Sequence, residues 1–385
     1  MNIKSFLLTA FAASMTLVAC DKSENLDNPN SDKMPKSVTI KLPNIQKTPS
    51  VRSTGDAMAN NSQVELKNFK VFFVDANGNV QTVPKYEGSE QQTYFSSDAT
   101  DGSWSAIGEQ GKDITYHFLP AATSKVVVVG NIGNVEYSTL AAKTEAVPND
   151  TEAGHPTYSL YGDSELTEKT TEPKQDVANH ENVYTATVTL EPRVSRFEIY
   201  GFEYQQATAP ATNKYTSVAL EKIALNHYYT QYDFVTKTPE EDGKVWDNPT
   251  KETAWTWIEN RTDWCDALNL SLEPGDKKFV DGTTITDPNE DGEEATGIIT
   301  YGLAHVESST NNPELLLALR GNTADNASTP LYLHGKFTSK DPFVSGKIYR
   351  VFFTFDDENL SQPERCVELN VKVANWTVVP VTPEF

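Results

Sequence analysis

The sequence predicts an all-β protein made of two β-sandwich domains with few short helices. Three observations predict it. Short runs such as "NVYTATVTL" alternate apolar and polar residues. Spacers rich in Gly, Pro, Asn and Asp separate them, and almost no segment carries the 3.6-residue period of an amphipathic helix. At 385 residues the chain suits two domains, each able to bury its own core. No short internal repeat is present, which argues against a solenoid or propeller.

The first 19 residues are a targeting segment. Lys4 supplies the positive end, "FLLTAFAASMTLV" an apolar core too short for the ~20 residues of a membrane-crossing helix, and "LVAC" a cleavage site ending at Cys20. From Cys20 to about Lys36 the chain reads as a polar tether. Val38, Ile40 and Leu42 then alternate with Thr39 and Lys41 in a short strand that Pro43 stops. After it, "QKTPSVRSTGDAMANNSQ" is a small, polar, easily cut loop with Arg52 at its centre.

Strands dominate from there. "VELKNFKVFFVDANGNVQTV" reads as two strands about a turn at Asp75 to Asn79, and "KVVVVGN" suits burial on both faces. "RVSRFEIYGFEY", "SVALEKIALNHYYT", "PLYLHGKFT" and "KIYRVFFTFDD" follow at turn-rich intervals. "YSTLAAKTEA" fits a short helix, and "ELLLALRG" fits either a helix or a buried strand. The Pro192 to Arg196 segment separates a first domain, 53–190, from a second, 191–385.

Composition and motifs leave several functions without support. There are 54 acidic and 32 basic residues with no basic stripe, so nucleic acid is not an expected partner. The six His lack the spacing of a helical metal site, and no nucleophile elbow or phosphate-binding Gly loop is present, so no enzyme, cofactor or metal is expected. "DPNEDG" at Asp287 to Gly292 opens like a calcium loop, but Ile298 stands where a bidentate acid is needed, and the segment reads as an acidic turn. Cys265 and Cys366 are too few for a disulfide scaffold and read as a pair or as two separate thiols. Trp255, Trp257 and Trp264 cluster in "AWTWIENRTDW". Trp255 and Trp257 share a strand parity suited to a core face, with a sugar-stacking platform as the alternative.

The carboxyl end, "VELNVKVANWTVVPVTPEF", is strand-like to its last residue. Leu369, Val371, Val373, Val379, Val381 and Phe385 share one parity, and "WTVV" adds Trp376 and Val378 on the other. Residues 367–385 exceed the usual strand of about 5 to 6 residues. Pro380 and Pro383 each remove an N–H donor, so the tail is expected as two short strands with a bend, or as an edge strand with a loose end.

In their order along the chain, the "LVAC" lipobox with its acidic tether, "SVTIKLPNIQKTPSVRSTG", "KVVVVGN", "EPRVSRFEIYGFEY" and the final "SGKIYRVFFTFDDENLSQPERCVELNVKVANWTVVPVTPEF" resemble the fimbrillin family, the type V pilins of Gram-negative anaerobes. The resemblance implies two β-sandwiches of transthyretin-like/Greek-key type. It implies an outer-membrane lipoprotein precursor acylated on Cys20, and removal of a leader, 20–52, by an arginine-specific protease between Arg52 and Ser53. Val38, Ile40 and Leu42 would form the plug strand. Residues Val371, Val373, Trp376, Val378, Val379, Val381 and Phe385 would form the donor strand of a head-to-tail surface fimbria. The partners implied are other copies of the chain and accessory fimbrial subunits, in an adhesive shaft. Loss of residues 1–52, targeting segment and leader together, removes seven basic and four acidic residues, leaving 25 against 50. The alternative from another class is a monomeric glycan-binding surface lipoprotein using the Trp255 to Trp264 cluster.

Overall fold

The computed structural model describes residues 34–43, 63–84, 91–96, 113–133, 135–140, 142–147, 158–169, 175–176, 180–250, 253–286, 298–303, 313–337, 344–362, 367–375 and 377–380. Cys20, Arg52, Ser53, the Asp287 to Gly292 turn, Cys366, Trp376, Val381 and Phe385 lie outside them.

The chain is all-β, in two sandwiches. In the first, one sheet runs in the order Thr167–Glu168, Glu181–Thr187, Lys36–Lys41, Ile114–Leu119. The other runs Glu191–Pro192, Leu160–Glu165, Thr123–Gly130, Phe69–Asp75, Phe95–Ser96. In the second, Lys277–Phe279, Ser195–Tyr204, Lys347–Phe355 and Asn370–Asn375 face a sheet ordered Cys265–Leu272, Ser217–Asn226, Glu314–Asn322, Ser328–Lys336, Val367–Glu368. "ELLLALRG" is thus a strand. Its leucines are buried on both faces, by the main core on one side and the cluster under Ala254 and Ile258 on the other.

The continuous apolar runs have the same cause. Phe69–Asp75 and Thr123–Gly130 pair antiparallel, and Phe73, Val126 and Val128 belong to a core that also holds Leu160 and Val188. Phe72 meets Tyr94 and Tyr137, the latter on the helix Tyr137–Leu140, so this strand too is covered from two sides; of the segment 137–146 expected as a helix, Thr144–Ala146 is instead a strand. Gly162 is required by a close approach, because a Cβ there would run into the Thr189 backbone carbonyl.

Both sandwiches share one device. The first strand of each pairs in parallel with a late strand: Lys36–Lys41 with Glu181–Thr187, and Ser195–Tyr204 with Lys347–Phe355. Parallel pairing needs a long connection, so each first strand is held by chain far away in sequence.

Arg193 fastens the junction. Its guanidinium lies 4.5 Å over the Tyr161 ring of the first sandwich and donates from Nε to the Phe234 carbonyl at 2.7 Å and from Nη2 to the Val235 carbonyl. Burial pulls its pKa below the usual arginine value, the cost of placing this cation at 5% exposure. Thr144–Ala146 also pairs with Gln231–Asp233, and the Tyr232 hydroxyl donates to Glu145 at 2.9 Å.

Candidate strand-exchange site

The strand ahead of Arg52 is a central strand of the first sandwich. Lys36–Lys41 lies between Glu181–Thr187, parallel, and Ile114–Leu119, antiparallel. Val38 stands opposite Tyr184 on one side and Tyr116 on the other; Ile40 stands opposite Ala186 and Ile114. The alternation read from the sequence points these two inward, at 0% and 2% exposure, and Leu42 packs half-buried against the same core. Burying Val38 and Ile40 at ~1.5–3 kcal/mol each contributes roughly 3–6 kcal/mol.

Polar contacts fix both ends. The Asn182 N–H donates to the Pro35 carbonyl at 2.9 Å and the Val188 N–H to the Lys41 carbonyl at 2.8 Å. Lys36 donates to the Thr123 carbonyl of the facing sheet at 2.6 Å, and its ammonium lies 4.6 Å over the Tyr184 ring. Lys41 and Asp113, 3.7 Å apart and half-exposed, contribute little. Without this strand its two neighbours would stand about 9–10 Å apart, two strand spacings, each with a row of unpaired backbone groups.

The tail divides in two. Val367–Glu368 extends the sheet edge at Ser328–Lys336, and Asn370–Asn375 pairs antiparallel with Lys347–Phe355, setting Val371 opposite Val351 and Val373 opposite Tyr349. Val371 and Val373 therefore belong to the second sandwich's own ladder. The run from 367 to 375, expected to be part of a donor strand, is thus paired within the chain's own second sandwich. The physical reason is the edge of Lys347–Phe355, which the "NVKVAN" alternation completes locally. Beyond Asn375 the chain changes partner: Thr377–Pro380 runs parallel to Gln63–Leu66, with Val378 opposite Val64 and Val379 opposite Glu65. Among the described residues the tail is the strands Val367–Glu368, Asn370–Asn375 and Thr377–Pro380, in keeping with the expected division into short strands.

The tryptophans do not share a strand. Trp255 and Trp257 lie on the helix Ala254–Asn260, a correction to the strand reading: Ala254 and Ile258, four residues apart, are the buried positions that set a helical face. Both indoles pack on the small cluster containing those two residues, Trp255 beneath the Arg320 guanidinium at 4.8 Å. Trp257 donates to Asp247 at 3.1 Å and borders, with Thr253, Thr256, Asn260 and Arg261, an open hollow of about 480 Å³. Trp264 faces elsewhere, against Tyr228, with its indole N–H on the Gly302 carbonyl at 2.7 Å. No common three-indole platform forms.

Cys265 is a free thiol, its pKa raised by burial, and its Sγ donates to the Arg261 carbonyl at 3.2 Å. Among the described residues no three His, Cys, Asp or Glu side chains are placed to hold a metal ion.

Sequence reasoning missed Glu181. This carboxylate is fully buried at the start of Glu181–Thr187 and reaches across the end of the leader strand to His117 Nδ1, 2.7 Å away, and to the Phe118 N–H. A lone acid at a strand start carries no periodic signal that would have singled it out.

The geometry defines a class: an all-β, two-sandwich chain whose first sandwich has Lys36–Lys41 as a central strand and whose segment Thr377–Pro380 returns to pair with Gln63–Leu66. Solved structures similar to it include a candidate cell adhesion protein from Bacteroides eggerthii, 16% identical over 91% of this chain and 98% of that one, TM-score 0.48. A second from Parabacteroides distasonis is 12% identical over 91% and 98%, TM-score 0.47. A fimbrilin (FimA) from Porphyromonas gingivalis is 12% identical over 90% and 99%, TM-score 0.44. No protein-family model matches the sequence, and no curated protein matches it.

Proposed function

We propose that the chain is the precursor of a structural subunit of a cell-surface fimbria. It is exported to the outer membrane as a lipoprotein through Cys20, cleaved between Arg52 and Ser53, and polymerised head-to-tail. One observation carries this reading: a central, doubly paired strand of the first sandwich, Lys36–Lys41, comes from ahead of Arg52. Once the chain is cut, only non-covalent contacts hold that strand, and its departure opens a slot that demands ladder hydrogen bonds and alternating apolar side chains.

The tail beyond Asn375 supplies both. Val379 and Val381 have the spacing of Val38 and Ile40, and Pro383 and Phe385 continue the parity of Leu42. Pro380 would fall where Thr39 sits and forfeits one donor, a local cost that leaves the inward face intact. Slot and tail are different patches, so the contact propagates as a filament rather than closing as a dimer. A tip subunit has no need of a donor tail and an anchor would keep its lipid; a shaft subunit needs the tail and loses the leader.

The test is the amino-terminal sequence and unheated gel mobility of material sheared from cells making the protein. A chain beginning at Ser53 in a ladder that collapses on boiling is expected. An acylated Cys20 on a single monomer band would overturn the reading in favour of an anchored, monomeric surface lipoprotein.

A further inference from the structure

Along Ile114–Leu119 strict alternation would turn Ile114, Tyr116 and Phe118 inward. Instead Ile114, Tyr116 and Leu119 are buried, while His117 and Phe118 both face out. The cause is a bulge against the leader strand: Lys36 is opposite Leu119 and Val38 opposite Tyr116, so Ser37 alone faces two residues. The second of these, Phe118, has φ 58°, the left-handed region that a bulky aromatic residue avoids. Buried Glu181 holds the distortion in place by accepting the Phe118 N–H, with His117 against its other oxygen. The result is Phe118 at 54% exposure, alone among the described residues as an exposed large apolar side chain.

Its position in the fold gives this arrangement a use. The bulge sits at the end of the slot where the leader strand begins, beside Lys36 and Ser37. A strand filling the slot in the leader's direction brings its preceding residues to this mouth. If Val379 takes the place of Val38, Thr377 lies at the mouth, two residues after the donor's own sheet ends at Asn375. If Phe385 takes the place of Leu42, Val379 lies at the mouth, four residues after Asn375, or ~13 Å at about 3.3 Å each. In either register the donor's second sandwich is held within ~13 Å of the Phe118 corner.

We infer that Phe118, displayed by the Glu181-held bulge, is the contact point for the second sandwich of the next copy of this chain. This rests on the strand-exchange reading and adds to it a side-on contact outside the slot. An apolar residue turned outward by a strained backbone, at the one place the incoming body must pass, suits a docking anchor.

The test uses the full chain, matured with an arginine-specific protease, with Phe118→Gly beside the unsubstituted protein. Glycine adopts the left-handed conformation freely, so the variant monomer should melt at the same or a higher temperature. Its ladder should elongate about tenfold more slowly, the loss expected for one anchoring aromatic side chain. An unchanged elongation rate overturns the inference while leaving strand exchange standing. A photo-crosslinking residue at position 118 should join residues 344–375 of another copy; crosslinks confined to its own chain would also overturn it. Failure of the unsubstituted chain to form any ladder overturns strand exchange and this contact with it.

Discussion

Val64 stands opposite Val378 in a parallel pair, so the first described strand after the Arg52 segment and the last described strand of the chain are neighbours. The tail is thereby parked on its own first sandwich. The parking is slight: Thr377–Pro380 pairs with one strand over four residues, whereas Lys36–Lys41 pairs on both sides.

That difference gives the first prediction. Amide hydrogen exchange in the uncleaved chain should be slow at Val38 to Lys41 and much faster at Thr377 to Val379, because edge pairs open locally at low cost. Equal protection at the two sites would mean that the tail is not free to leave.

Ile40→Ala removes buried side-chain volume between Ile114 and Ala186. The precursor should lose ~2–5 kcal/mol by denaturant titration. The chain starting at Ser53 lacks this residue, so the same substitution should leave the mature subunit's stability untouched.

Deleting residues 376–385 should yield a folded, exported monomer that cannot elongate, since Asn370–Asn375 keeps its place on Lys347–Phe355. Normal fibres from this deletion would refute a donor role for the tail.

Arg193→Ala should uncouple the two sandwiches. It strips donors from the Phe234 and Val235 carbonyls, each costing ~1–3 kcal/mol when left buried and unpaired. Calorimetry should show one cooperative transition in the parent and two in the variant.

The Asp75 turn predicts a pH dependence. Hydrogen bonds from Asn79, first its backbone N–H and then its side chain, hold the Asp75 carboxyl below its usual value of 3.8. A depressed folded pKa contributes stability above the unfolded pKa and loses it as pH falls through the folded one. Asp75→Ala should therefore lower the melting temperature at pH 7, and the gap should narrow as pH drops below 3.8. A gap that stays constant to low pH would exclude the charged turn as its source.

The sequence by itself determined the strand content, the inward faces of Val38 and Ile40, the doubly covered "KVVVVGN" run and the acidic surface. Each follows from side-chain period or composition, and both are local quantities. Tertiary structure alone decided which strand pairs with which. Backbone hydrogen bonds carry no residue code, so nothing in "NVKVAN" or "TVVP" states that the first completes its own sandwich while the second crosses to Gln63–Leu66. It also decided the cases in which local period misleads. Ala254 and Ile258 needed a shared apolar neighbour before the tryptophan segment became a helix, and Phe118 turned outward only because a buried Glu181 on another strand accepts its N–H.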